Sequence, residues 1–303
     1  MFLGWFDAET GGSLVTSIDT GTYGNLALYA HWSPTYRAAF MSQGELYQSF
    51  ELVASSSITQ PTPDPVKASD SKYDYTFSHW DGYTPGMTMG DSDVTFNAVF
   101  IKSGRIVTES GKLKVNVDEN RVLLTKEKID MVVSMADSDR DLTMTVDLDN
   151  CKVSFDNAAL RSLKSSNTEL SVLKKTDAEK TADEKRIAGD GPVYEMTFGD
   201  NTDFKGGKVT FTIPYEITDG KSADDLYIAY ISDGEVMEEI ECDYEGGSVS
   251  FSTGHLSVYT MLYREVKDTN FLQDLSLGGF LIFGLIFAIA ASALILAILK
   301  KTK

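Results

Sequence analysis

Hydrophobic and polar positions alternate with a period of two through most of the chain, which is the pattern of half-buried β-strands. It is plain in Leu113-Lys114-Val115-Asn116-Val117, in the stretch 142–148, in Val209-Thr210-Phe211-Thr212-Ile213 and in Val249-Ser250-Phe251. Continuous apolar runs at 226–231 and 258–263 predict strands buried on both faces. Asp219-Gly220, Asp233-Gly234 and Gly246-Gly247 separate them with turn chemistry. A short helix is predicted over 157–163, capped by Asp156 or Asn157. Many short strands with regular turns predict a β-sandwich over 105–265. The stretch 177–186 alternates acids and bases and reads as a solvated loop or loose helix.

Upstream, strands are predicted at 2–6, 26–32, 36–41, 47–53, 77–82 and 94–100, and the chain repeats itself. Phe2-Leu3-Gly4-Trp5-Phe6 matches Phe77-Ser78-His79-Trp80-Asp81, and 26–32, ending in Trp32, matches 94–100, ending in Phe100. Trp5, Trp32, Trp80 and Phe100 are the expected core of these units, because a module this small needs large side chains to fill it. The second unit adds the strands 36–41 and 47–53 and a Pro-rich stretch at 60–65.

These residues resemble the internalin B-type, or Listeria–Bacteroides, repeat. The first unit carries the likeness in Gly4-Trp5-Phe6, in 7–12 and in Leu28-Tyr29-Ala30-His31-Trp32; the second departs from it at His79 and Phe100. The resemblance covers about a third of the chain. It implies small β-grasp-like modules at 1–33, where the opening strands are missing, and at 34–102, in an extracellular and often adhesive protein that is not an enzyme. The stretch around 209–215, 226–231 and 253–259 looks like the membrane-proximal β-domains of bacterial and archaeal surface proteins, with Leu256 departing from the usual residue; that likeness implies a spacer role.

One segment breaks the β pattern. Residues 275–299 carry no charge, and fifteen of them are Leu, Ile or Phe. As a helix they would extend roughly 37 Å, enough for a hydrocarbon core of about 30 Å. Leu275, Phe280, Phe283, Phe287 and Leu299 are the expected bilayer anchor, and Gly284, Ala288 and Ser292 are a small-residue face that could support a weak homodimer. Lys300, Lys301 and Lys303 place a cytoplasmic tail at 300–303 by the positive-inside rule, with a juxtamembrane linker at 266–274. The expectation is a mainly β, single-pass cell-membrane protein, N-terminus outside. No signal peptide opens the chain, so further residues are expected before Met1. A tail-anchored protein with its bulk in the cytoplasm is the alternative.

Charge and chemistry narrow the function. Across the 303 residues, 45 acids outnumber 27 Lys and Arg, for a net charge of −18. That balance disfavours nucleic acid. Cys151 and Cys242 form either one disulfide or two buried free thiols. The three histidines, His31, His79 and His255, have no ligand-spaced neighbours, and no catalytic, cofactor or metal residues are selected. Asp137-x-Asp139-x-Asp141 begins like a calcium loop but has Leu142 where glycine is required. The expected function is a non-enzymatic modular adhesin or stalk that presents its repeats to a host or envelope glycan or protein. The alternatives are a structural envelope spacer without a discrete ligand, or the stalk of a larger surface enzyme.

Overall fold

The computed structural model describes residues 1–264. The repeat region forms two sheets. Strands β1 (Phe2–Phe6) and β2 (Tyr29–Trp32) make an antiparallel pair of their own. Strands β3 (Tyr36–Ser42), β4 (Glu45–Leu52), β5 (Tyr73–Asp81) and β6 (Val94–Gly104) make a four-stranded sheet in the order β4-β3-β6-β5. Its central pair, β3 and β6, is parallel. First and last strands side by side in parallel, each flanked by a hairpin partner, is a β-grasp-like order without the helix. Its core gathers Ala38, Phe40, Ile58, Trp80, Met89 and Phe96.

The rest is two sheets packed face to face. Strands β7 (Ile106–Glu109) and β8 (Lys112–Asn116) start the first sheet, and β9 (Arg121–Leu124) is an edge of the second. Helix α1 (Lys126–Ser138) follows, then β10 (Met144–Asp147), β11 (Lys152–Phe155), helix α2 (Asn157–Arg161), β12 (Thr168–Lys174) and helix α3 (Ala182–Ala188). Strands β13 (Val193–Phe198), β14 (Val209–Pro214), β15 (Leu226–Ser232), β16 (Glu235–Glu241), β17 (Asp243–Glu245), β18 (Ser248–Thr253) and β19 (Val258–Tyr263) complete it. The seven-stranded sheet runs β17-β18-β14-β11-β10-β8-β7, and the six-stranded sheet β16-β15-β19-β13-β12-β9. Alternation places Val153, Phe155, Phe211 and Phe251 inward from one sheet and Val172, Phe198, Ile228 and Tyr259 inward from the other. Phe155 meets Phe198 at 5.4 Å between ring centres, and Phe251 meets Tyr259 at 5.5 Å, so the layers touch directly.

The helices follow local chemistry. Asp156 caps α2 by accepting from the Ala159 N–H at 2.8 Å. Within the 177–186 stretch, Thr181 and Glu184 form a capping box that starts α3. Helix α1 was not expected. Its buried stripe is narrow, Ile129, Val132 and Ala136, and the adjacent Met131-Val132-Val133 hides the helical period.

The single-pass architecture and the membrane localisation need correction. No helix among the described residues is long and apolar enough to cross a membrane. The longest, α1, has 13 residues, a length of about 20 Å against a hydrocarbon core of about 30 Å. The expected anchor at Leu275, Phe280, Phe283, Phe287 and Leu299 lies outside the described residues. So do the packing face at Gly284, Ala288 and Ser292, the flank at Lys300, Lys301 and Lys303, and the linker at 266–274. The fold stands as mainly β. The cysteine alternatives also resolve: Cys151 and Cys242 are free thiols. Burial pushes the Cys151 thiol up to about 12, so it is unreactive at neutral pH.

The repeat unit is built into the sandwich. Tyr73 and Gly104 are cross-strand partners at the end of β5 and β6. Tyr73 nevertheless belongs to the sandwich core, and its hydroxyl donates to Asp118 at 2.8 Å. A Cβ on Gly104 would lie 2.4 Å from a Val122 methyl and 2.9 Å from a Val115 methyl, so only glycine allows this approach. From α1, the Lys128 ammonium donates to Asp74 at 2.7 Å, to the Ser103 hydroxyl at 3.0 Å and to the Gly104 carbonyl at 2.6 Å. Desolvation alone would raise the Asp74 carboxyl; hydrogen bonds from Lys128 and Ser69 and the Lys128 charge outweigh it and hold the group below its usual 3.8.

Two outcomes are expected. Lys128→Ala should lower the unfolding free energy by about 1–3 kcal/mol in urea titrations; a change below about 0.5 kcal/mol would mean the junction carries no weight. A carboxyl depressed in the folded state adds stability above its unfolded pKa and loses it as pH falls through the folded one. Junction stability should therefore hold from neutral to about pH 5 and drop below pH 3.8, and Lys128→Ala should blunt that acid step. Separately, thiol titration without reductant should count two thiols in denatured protein, with Cys151 protected in the native state; a denatured protein with none would contradict the free cysteines.

Candidate functional site

Both aromatic hairpins of the repeat form, and they share an irregular register. In the first, Phe2 pairs with Trp32, the ladder slips, and Gly4 then pairs with His31 and Trp5 with Ala30. In the second, Phe77 pairs with Phe100, the ladder slips at the same place, and His79 pairs with Val99 and Trp80 with Ala98. The slip is a bulge that turns two neighbouring residues to one side. It lets the first aromatic residue reach both the tryptophan of its own strand and the aromatic end of the partner strand. Phe2 lies 5.9 Å from Trp5 and 5.0 Å from Trp32 between ring centres. Phe77 lies 5.4 Å from Trp80 and 6.0 Å from Phe100.

What differs is the cover. In the second unit, β3 runs parallel along β6, from Ala38 opposite Val94 to Met41 opposite Asn97. Phe40 then packs on Trp80 at 5.0 Å, and Tyr47 of β4 approaches it at 5.8 Å. Trp80 is 1% exposed as a result, and Phe100 is half-buried. In the first unit, β2 pairs with β1 alone. The outer edge of β1 is partly occupied, because the Val15 N–H donates to the Trp5 carbonyl at 2.7 Å. Among the described residues, no strand pairs with the outer edge of β2. Phe2, Trp5 and Trp32 are 44%, 49% and 67% exposed. The expectation of Trp5 and Trp32 as core residues is corrected: the residue pattern of a core hairpin is present, and the strands that would bury it are not packed there.

This surface is the candidate site. A tryptophan carries 150–250 Å² of buriable area in general, so covering the exposed half of Trp5 would contribute roughly 2 kcal/mol. The rings are mutually tilted, at 74° for Phe2 with Trp5 and 55° for Phe2 with Trp32. Rings so inclined make no flat platform for sugar stacking. They form an uneven apolar surface beside an unpaired backbone edge, which suits an added polypeptide strand.

The acidic triplet and the histidines singled out in the sequence have structural contacts instead. The Asp137 carboxylate accepts from Arg161 at 2.7 Å, and Asp139 accepts from the Asp141 N–H at 3.0 Å. No group of three metal-ligating side chains occurs among the described residues. His31 stacks on Phe6 at 4.0 Å, and its Nε2 lies 2.9 Å from the Ala8 carbonyl. His79 is exposed, beside Ser78. His255 belongs to a network with Glu238, Tyr259 and Thr253. There the buried Tyr259 hydroxyl donates to the His255 carbonyl at 2.7 Å, and burial pushes its pKa up. It therefore stays a fixed donor that ties the start of β19 to the end of β18. No known protein family, curated protein or solved structure matches the chain.

The two tryptophans should respond oppositely to truncation. Trp80→Ala is expected to cost about 3–5 kcal/mol of stability, and Trp5→Ala less than about 1 kcal/mol, both read from denaturant midpoints. Equal losses would show that Trp5 is as well covered as Trp80.

Proposed function

We propose that the chain is a non-catalytic, modular recognition protein, adhesin-like in action. The β1–β2 hairpin takes an extended segment of a partner protein, and the second repeat unit and sandwich are its carrier. One observation carries this reading: two hairpins share a bulged register, one is covered by β3 and β4, and the other presents its aromatic face and an open edge. The covered unit shows how such an edge is filled. A strand adds in parallel beside β6 and drives an aromatic residue onto the tryptophan. The junction at Lys128, Asp74 and Tyr73 supports the carrier part, since it joins the second repeat unit to the sandwich through shared core and hydrogen bonds.

The test uses the full chain and a synthetic peptide of residues 34–53, the chain's own covering hairpin. A fluorescein-labelled form of this peptide should show a saturable shift in anisotropy on titration with the chain, and Trp5→Ala with Trp32→Ala should abolish the shift. The same double variant, immobilised, should lose envelope or host-surface proteins that the unaltered chain retains. No saturable shift, together with equal retention by the variant, would refute the strand-capture reading.

A further inference from the structure

A second surface lies on the sandwich, where the outer face of the seven-stranded sheet meets α1 and α2. Two adjoining cavities, of about 480 Å³ and about 420 Å³, share Thr143 and Asp156 in their walls. The first is walled by Arg140 and Arg161, the second by Lys112 and Lys208. Four cations thus face two carboxylates, Asp141 and Asp156, on a chain where acids outnumber Lys and Arg by 45 to 27. The local charge balance is the reverse of the whole. Arg161 pairs with Asp137, whereas Lys112, Arg140 and Lys208 have no ion-pair partner among the described residues. The Asp156 carboxylate is already engaged by two backbone amides, accepting from Ala159 at 2.8 Å and Lys208 at 3.0 Å.

Between the cations runs a row of hydroxyls. Thr145, Ser154, Thr210 and Ser252 are direct cross-strand partners on β10, β11, β14 and β18. Their outward direction follows from the same alternation that sends Met144, Val153, Phe155, Val209, Phe211 and Phe251 into the core. Thr145 and Ser154 lie 3.3 Å apart and Thr210 and Ser252 2.7 Å apart, and each hydroxyl keeps capacity for a further hydrogen bond. Adjacent strands are about 4.8 Å apart, so the row extends roughly 14 Å, longer than any single ion. The surface is preformed. A Cβ on Gly207 would fall 2.1 Å from the Ala159 backbone nitrogen, so the chain entering β14 is pressed against α2, and this holds Lys208 and Asp156 side by side.

We infer that this groove binds an acidic polysaccharide, its sulfate or carboxylate groups held by Lys112, Arg140 and Lys208 and its sugar hydroxyls by the Thr145–Ser154–Thr210–Ser252 row. The ligand class follows from the lining. Phe155, the aromatic residue in these walls, is buried, so no ring is offered for stacking a base. No large apolar side chain is exposed in either cavity to anchor a protein. The inference is independent of strand capture at β1–β2 and gives the carrier a ligand of its own.

Calorimetric titration of the full chain with heparin, polygalacturonate and neutral dextran, at low and at physiological salt, tests it. Heparin or polygalacturonate should bind, more weakly as salt rises, and dextran should not. The three-site variant K112Q, R140Q and K208Q should lose about tenfold or more in affinity, with an unchanged melting temperature because all three side chains are exposed. Thr210→Val should weaken binding and leave its salt dependence intact. Heparin alone binding assigns a sulfated ligand, and polygalacturonate alone a carboxylated one. Trp5→Ala should bind the polysaccharide as the unaltered chain does, which separates failure here from failure at the hairpin. Absence of binding to both acidic polymers at low salt, equal binding by the three-site variant, or dextran binding as well as either acid would overturn the assignment.

Discussion

Every sheet among the described residues has an apolar face, and an apolar face needs a cover. That constraint organises the structure. The two sandwich sheets cover each other through contacts such as Phe155 on Phe198 and Phe251 on Tyr259. The β5–β6 hairpin is covered by β3 and β4, with Phe40 seated on Trp80. The β1–β2 hairpin has the same internal geometry and remains bare. Function is read from the unmet case because the met cases define what would satisfy it. The cost of exposure is modest, roughly 2 kcal/mol for the open half of one tryptophan, so a local hairpin can hold such a surface ready without unfolding the whole.

How much of this was legible in the sequence depends on whether the information was local. Alternation in 142–148 and 209–213 placed strands, and the cap of α2 was narrowed to Asp156 or Asn157, of which Asp156 takes it, because both are nearest-neighbour chemistry. The repeat was legible for the same reason, in the shared spacing of Phe2 and Trp5 and of Phe77 and Trp80; the bulge that goes with that spacing was not read from it. Burial was not. Trp5 and Trp80 look alike along the chain, and whether either is covered depends on strands elsewhere. Helix α1 was hidden because its buried stripe is a single row of three residues, with the apolar Met131 and Val133 on either side of Val132. The groove was invisible, since Thr145, Ser154, Thr210 and Ser252 meet only after four strands align.

The two surfaces also differ in kind. The hairpin offers apolar area and an open backbone edge; the groove offers fixed charge and hydroxyls on a rigid sheet. Binding at the first releases water from rings and depends little on salt. Binding at the second is electrostatic in onset and is screened over about 8 Å at physiological ionic strength. A strongly acidic chain repels polyanions at long range and admits them only where charge is locally inverted. The lining at Lys112, Arg140 and Lys208 supplies such an inversion.

The insertion of Tyr73 beside Gly104 bears on how this protein can be cut into pieces. Composition invites a division between residues 102 and 105, where the repeat gives way to the sandwich. A sandwich begun there would lose the Tyr73 ring from its interior and leave the Lys128 ammonium facing an empty wall. The excised repeat unit would in turn expose Tyr73 at its end. The visible seam is thus not a line of cleavage between self-sufficient folding units, and a fragment that keeps β5 and β6 attached to the sandwich preserves the native interior.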